Sequence, residues 1–272
     1  MDSVTLRVVD SGRGPAVVFI HGIGASAYSW RQQLGPVVAA GFRVVAVDLP
    51  GFGYSDKPRS GYHNTDFVRV VTALLDTLRI DPVILVGHSM GGEIAAEIAL
   101  ASPSRVQGLV LVGAAGMGTR APAALRFARW PIVGWLVTPF AGRGMVDRQL
   151  RSTYADPTLV SDAEVDQYYA PLRQPGAVGA FRRTLRRFRF DSLGPHVRRI
   201  QAPTLLVWGA TDAWIPVALG RRMALELPSG ALVVIPNAGH NVMEERPDEV
   251  NRLLLDYLRH GLPRPPGDVA SR

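Results

Sequence analysis

Ser89 stands in Gly87-His88-Ser89-Met90-Gly91, a Gly-x-Ser-x-Gly pattern that follows the apolar run PVILV and opens the run MGGEIAAEIAL. A strand–turn–helix of that kind strains the serine backbone and lifts the hydroxyl clear of the sheet edge. The two backbones nearly touch there, which calls for glycine two positions to either side. A serine hydroxyl is a weak nucleophile at neutral pH and needs a base within hydrogen-bond reach. Of the six histidines, His21 and His88 flank turns at strand ends. His63, His196 and His260 fall in a loop, at the end of a helical middle segment and in the last turn of the final helix. His240, in Asn237-Ala238-Gly239-His240-Asn241, follows the run ALVVI. In a parallel sheet its loop shares the carboxyl edge with Ser89, the edge where ligands bind. The base needs an orienting carboxylate in turn. Asp212, in Trp208-Gly209-Ala210-Thr211-Asp212, follows the preceding strand and falls at that edge too. Glu244 and Glu245 are expected to favour the positive N-terminus of the last helix. A tetrahedral oxyanion requires two N–H donors, and the amides of Met90 and Ile23 are the candidates. Acyl transfer through Ser89 with His240 as base and Asp212 as its partner is the chemistry this set can do.

Such residues must be held by alternating strands and helices. Ala16–Ile20 and Arg43–Val47, the latter apolar from its second residue on, are continuous runs, as strands covered on both faces should be. Val83–Val86, Val106–Val112, Thr204–Trp208 and Ala231–Ile235 read as further strands, and Val4–Val9 as an edge strand. Helices are expected over Thr65–Leu78, Met90–Ala101 and Pro216–Leu227, with a last one starting near Pro247. The pattern predicts an α/β fold with a mostly parallel sheet flanked by helices. Residues 116–197 interrupt the alternation with helical segments only and are expected to form an inserted helical lid. The core then comprises 1–115 and 198–260, and the Pro/Gly-rich 261–272 a flexible tail.

Composition narrows the classes. The 272 residues are 47% hydrophobic, enough for a sizeable core, and contain no cysteine, which excludes disulfides, Cys-ligated metals and thiol catalysis. No basic and apolar leader opens the chain, so a cytoplasmic location is expected. The net charge of +7 comes almost entirely from arginine, with Lys57 the single lysine. Residues 116–199 carry 14 Arg against six acidic residues, so the excess sits in the lid. No nucleic-acid motif accompanies it, and no nucleic-acid partner is expected. Arg182, Arg186 and Arg189 fall at i, i+4 and i+7, a stripe expected to be solvated rather than to dock on an anionic membrane.

His21-Gly22, DLPGFGYSDKP (48–58), GHSMGG (87–92), WGATD (208–212) and NAGH (237–240) together resemble the α/β-hydrolase superfamily. The resemblance implies a mostly parallel sheet with a helical cap, the triad Ser89, Asp212 and His240, and Ile23 and Met90 as oxyanion donors. It implies no metal and no cofactor. Relatives that use Asp as nucleophile are set aside by Ser89. Carbon–carbon bond hydrolases of aromatic meta-cleavage often carry Asn before the serine and Trp after the histidine, where this chain has His88 and Asn241. A carboxylesterase acting on neutral short-to-medium acyl esters in free solution is the expectation. A carbon–carbon bond hydrolase or thioesterase on the same triad is the alternative. Two readings of other classes stand beside it. Gly22, Gly24 and Asp48 echo the layout of a dinucleotide-binding oxidoreductase, and a non-catalytic ligand-binding member of the fold would keep the same residues. Met117, Trp130, Trp135 and Phe140 from the lid, with Trp214, Ile215 and Val242 from the core, are expected to line the substrate pocket. The oligomeric state is left open by the sequence.

Overall fold

The computed structural model describes residues 4–118 and 142–262. Its strands are β1 (Val8–Ser11), β2 (Ala16–Ile20), β3 (Arg43–Val47), β4 (Val83–His88), β5 (Val106–Val112), β6 (Thr204–Gly209) and β7 (Gly230–Ile235). The helices are α1 (Arg31–Ala39), α2 (Asn64–Thr77), α3 (Met90–Ala101), α4 (Arg143–Arg151), α5 (Asp162–Tyr169), α6 (Ala177–Arg187), α7 (Val217–Glu226), α8 (Val242–Glu245) and α9 (Pro247–His260). The sheet runs β1-β3-β2-β4-β5-β6-β7, with β1 antiparallel to β3 and every other pair parallel. Among the described residues no helix is long and apolar enough to cross a membrane.

Strand periodicity explains the double-sided core. Val18, Ile20, Val45, Val47, Leu85 and Leu111 point to one face, where they meet α2, α3 and α7. Val17, Phe19, Val44, Ala46, Val86 and Val110 point to the other, against α1 and α9. Every second residue thus serves a different layer, so the runs contain no polar alternation. Register then gathers the carboxyl ends. Ile20 pairs with Gly87, His88 with Val112, Val112 with Val207, and Gly209 with Ile235. The turns after β2, β4, β6 and β7 therefore open on one edge.

Three differences from the sequence reading have local causes. The edge strand begins at Val8, because Thr5 and Arg7 bond instead to the loop at Ser55 and Asp56. Helix α1 contains Gly35 and Pro36, which hid it from propensity, yet Val37 packs fully buried under the sheet. Helix α6 ends at Arg187, so Arg189 lies beyond it and the three-arginine stripe is not one helical face.

Between β5 and β6 the described residues form helices and no strand. Val146, Leu150, Tyr154, Val160 and Val165 make a small core of their own there. Its two ends are joined where the Gly116 amide donates to Phe190 O and Gly116 O accepts from Leu193 and Gly194.

Candidate active site

Ser89 has φ 53° and ψ −117°, a region that non-glycine residues avoid. The strain follows from the tight crossing of β4 and α3. A Cβ on Gly91 would lie 2.3 Å from the Ile20 carbonyl oxygen, and one on Gly87 would lie 2.4 Å from Gly91 O. Met90 is the first residue of α3, so its amide has no intrahelical acceptor. The turn after β2 approaches closely: a Cβ on Gly22 would stand 3.1 Å from Ser89 Cβ. Ile23 from that turn lines the same cavity as Ser89 and His240.

His240 Nδ1 donates to Asp212 Oδ2 at 2.8 Å, and both side chains are buried. The other carboxylate oxygen accepts from the Trp214 and Ile215 amides, each at 2.8 Å. An ionised carboxylate only accepts, so the Nδ1 proton is fixed and the Nε2 lone pair is left for a base's work. The Trp214 indole stacks on the imidazole, with ring centroids 5.8 Å apart.

His88 and His21 act on backbone. His88 Nε2 donates to the His240 carbonyl at 3.1 Å. Burial first, then the neighbouring His240, pushes the His88 pKa well down, so it stays neutral beside His240. His21 Nδ1 donates to Gly22 O at 2.7 Å, and its Nε2 accepts from the Leu49 amide at 3.0 Å. Burial also lowers its pKa.

Ser89 and His240 open on a cavity of about 100 Å³. Its far wall comes from the β5–β6 insertion, with Val146, Leu150, Tyr168, Leu172, Val178 and Phe181. No described residue lining it is Lys or Arg. Of the expected pocket residues, Trp214 does line it. Met117 and Ile215 are packed in the core on one face of the sheet, and Val242 in the core on the other. Ile215 is drawn inward because its carbonyl accepts from Trp208 Nε1. Trp130, Trp135 and Phe140 lie outside the described residues. The wall from α5 and α6 escaped the sequence reading because the arginines of α6 drew attention to its outer face. Val178, Phe181 and Leu185, at i, i+3 and i+7, were the available signal.

Two other expectations change. Asp48 is fully buried and accepts from the Ala27 and Tyr54 amides at 2.7 and 2.8 Å. It staples two loops and cannot reach a ribose, which removes the dinucleotide layout. Glu244 and Glu245 are buried, and the groups that bond to their carboxylates lie outside α9. Glu244 pairs with Arg31 and accepts from Tyr168 Oη and Asn241 Nδ2, while Arg31 also pairs with Glu164 of α5.

The model of the alpha/beta hydrolase family matches residues 17–253. The chain belongs to that family. Among relatives, it is 32% identical over 275 residues to the 2-hydroxy-6-oxo-6-phenylhexa-2,4-dienoate hydrolase of Burkholderia cepacia, covering 96% of this chain and 93% of that one. It is 29% identical to an uncharacterized hydrolase, YugF, of Bacillus subtilis, with 89% of each chain covered. A solved meta-cleavage product hydrolase from Pseudomonas fluorescens IP01 superposes with a TM-score of 0.83 at 26% identity, over 95% of this chain and 96% of the other. This alpha/beta hydrolase thus shares its fold over most of its length with an enzyme of known architecture.

Proposed function

We propose that this alpha/beta hydrolase cleaves neutral carboxylic esters of short to medium acyl length, with Ser89 as nucleophile, His240 as general base and acid, and Asp212 as its partner. The observation that carries the reading is the fixed His240–Asp212 pair facing, with Ser89, an apolar cavity that no described Lys or Arg lines.

His240 Nε2 takes the Ser89 proton as Oγ bonds to the acyl carbon, and the carbonyl electrons move to oxygen. The Ile23 and Met90 amides receive that oxyanion. Collapse of the intermediate expels the alkoxide, which takes the proton from His240 and leaves as alcohol. Water, deprotonated by His240, then attacks the acyl-enzyme; collapse releases the carboxylic acid and returns the proton to Ser89. Asp212 holds the imidazole in the required tautomer and stabilises the imidazolium formed in each half-reaction.

The names of relatives favour a second reading, hydrolysis of a carbon–carbon bond in a dienoate. That substrate carries a carboxylate, and burying one without a cationic partner is costly. The described lining offers none, which supports the neutral ester. The test is a panel of p-nitrophenyl esters of graded chain length beside a 2-hydroxy-6-oxo-dienoate, with Ser89→Ala as control. Ester turnover abolished in Ser89→Ala is expected. Faster turnover of the dienoate than of every ester would replace this reading by the second.

A further inference from the structure

The loop that carries His240 is fastened to the β5–β6 insertion as well as to the sheet. The Thr153 carbonyl accepts from the amides of His240 and Asn241 at 2.6 and 3.2 Å. A Cβ on Gly239 would lie 2.5 Å from Thr153 O and 2.7 Å from the Ala155 nitrogen. The backbone of the insertion therefore runs in contact with the residue before the base.

Glu245 closes this junction. Its Oε2 accepts from the Gly239 amide at 2.7 Å and the Ala155 amide at 3.1 Å, and its Oε1 from the Asp156 amide at 2.9 Å. Three N–H donors from two separate segments thus converge on one buried carboxylate. Hydrogen bonds to an ionised acceptor are about twice as strong as neutral ones, so the joint is stiff. None of those donors belongs to α9, whose start the carboxylate was expected to serve. The imidazole is held by Asp212 at its Nδ1, and the loop beneath it by Glu245 and Thr153.

We infer that Glu245 is a positioning residue for the proposed hydrolysis: by locking Gly239 against residues 153–156, it sets where the His240 imidazole stands relative to Ser89. On this inference, which rests on His240 being the base, part of the insertion belongs to the catalytic apparatus and is more than a cover over the pocket. Proton transfer is sensitive to such placement, since a misplacement of about 1 Å costs on the order of a hundredfold in rate.

The test is Glu245→Gln, which keeps size but turns one acceptor oxygen into an NH2 donor facing N–H groups. Steady-state kinetics on a p-nitrophenyl ester are measured together with the rate at which a fluorophosphonate labels Ser89. Circular dichroism monitors the fold. A misplaced base should lower kcat about tenfold to a hundredfold and slow labelling by a similar factor. KM should stay within about twofold, because Glu245 does not itself line the cavity and its apolar wall comes from other residues. Should Glu245→Gln not fold, Glu245→Asp, which keeps the charge on a shorter arm, is put through the same measurements. A folded variant with unchanged kcat and labelling rate, whatever its melting temperature, overturns the inference and leaves Glu245 a structural residue. A wild-type protein whose Ser89 takes no label overturns the triad reading and this inference together.

Discussion

Replacing Glu93 by Gln should stabilise the protein at neutral pH and leave it unchanged in acid. Glu93 lies on α3, one turn after Ser89, with no solvent exposure. Its Oε1 accepts from the Ser192 amide at 2.9 Å and the Ser192 hydroxyl at 2.6 Å, whereas Oε2 has no partner. Burial, reinforced by the nearby Glu97 and Asp191 carboxylates and opposed by the Ser192 bonds, pushes its pKa up to about 8 from an ordinary 4.5. Below pH 4.5 both the folded and unfolded chains hold the proton, and Glu93 costs nothing through its charge. Above that, the unfolded chain releases the proton while the folded chain retains it, so stability falls with rising pH. The loss levels off once the folded chain also ionises near pH 8. At pH 7 the gap from 4.5 corresponds to about 3 kcal/mol. Gln keeps the acceptor for Ser192 and cannot ionise. Urea unfolding of both proteins from pH 4 to 9 should give coincident stabilities at the acid end and a lead of about 3 kcal/mol for Glu93→Gln at pH 7, with equal m-values. A constant difference across that range, or a less stable variant at pH 7, would refute the buried, protonated carboxyl.

Other outcomes follow from the same geometry. Asp212→Asn keeps an oxygen for the Trp214 and Ile215 amides but turns an NH2 toward His240 Nδ1, which selects the wrong tautomer; kcat on esters should fall about 10⁴-fold with the fold intact by circular dichroism. Phe181 lines both the cavity at Ser89 and a smaller one beside Gly51 and Phe52. Phe181→Ala should therefore join them and move the optimum on the ester panel toward longer acyl chains. Arg186 is exposed on the outer face of α6, so Arg186→Glu should leave soluble-ester kinetics unchanged. A rate jump above the substrate's solubility limit that this variant abolishes would instead make the insertion a docking surface.

The sheet was readable because its code is redundant. AVVFI, and RVVAV after its first residue, are apolar throughout since both faces are covered, and their limits match the strands residue for residue. The residues around Ser89, Asp212 and His240 were readable because each sits at a strand's carboxyl end, and register alone brings those ends together. The pocket was less so. Met117, Ile215 and Val242 have the right chemistry for a lining, but which way a side chain turns from a loop or a one-turn helix depends on bonds made by distant residues, such as Trp208 Nε1 to Ile215 O. Glu244 and Glu245 show the same limit. Adjacent to a helix start, they look like dipole partners, and only the folded chain brings Arg31, Tyr168 and the amides of 155 and 156 to them.

Three histidines meet at the edge of this sheet, and their partners separate their work. His21 donates to the carbonyl of Gly22 and accepts from Leu49, which fixes the turn that carries Ile23. His88 donates to the His240 carbonyl, and its ring stands 4.7 Å from that of His240. A second imidazolium so close would oppose charge on His240 by several kcal/mol in a buried setting, on the order of the Coulomb energy at an effective dielectric constant near 20. Burial prevents this by holding His21 and His88 neutral. His240 alone of the three has a carboxylate at its Nδ1, so in the proposed mechanism the positive charge that forms when Ser89 gives up its proton is stabilised on one ring only. The chemistry is thus assigned by which nitrogen meets a carboxylate and which meet a carbonyl.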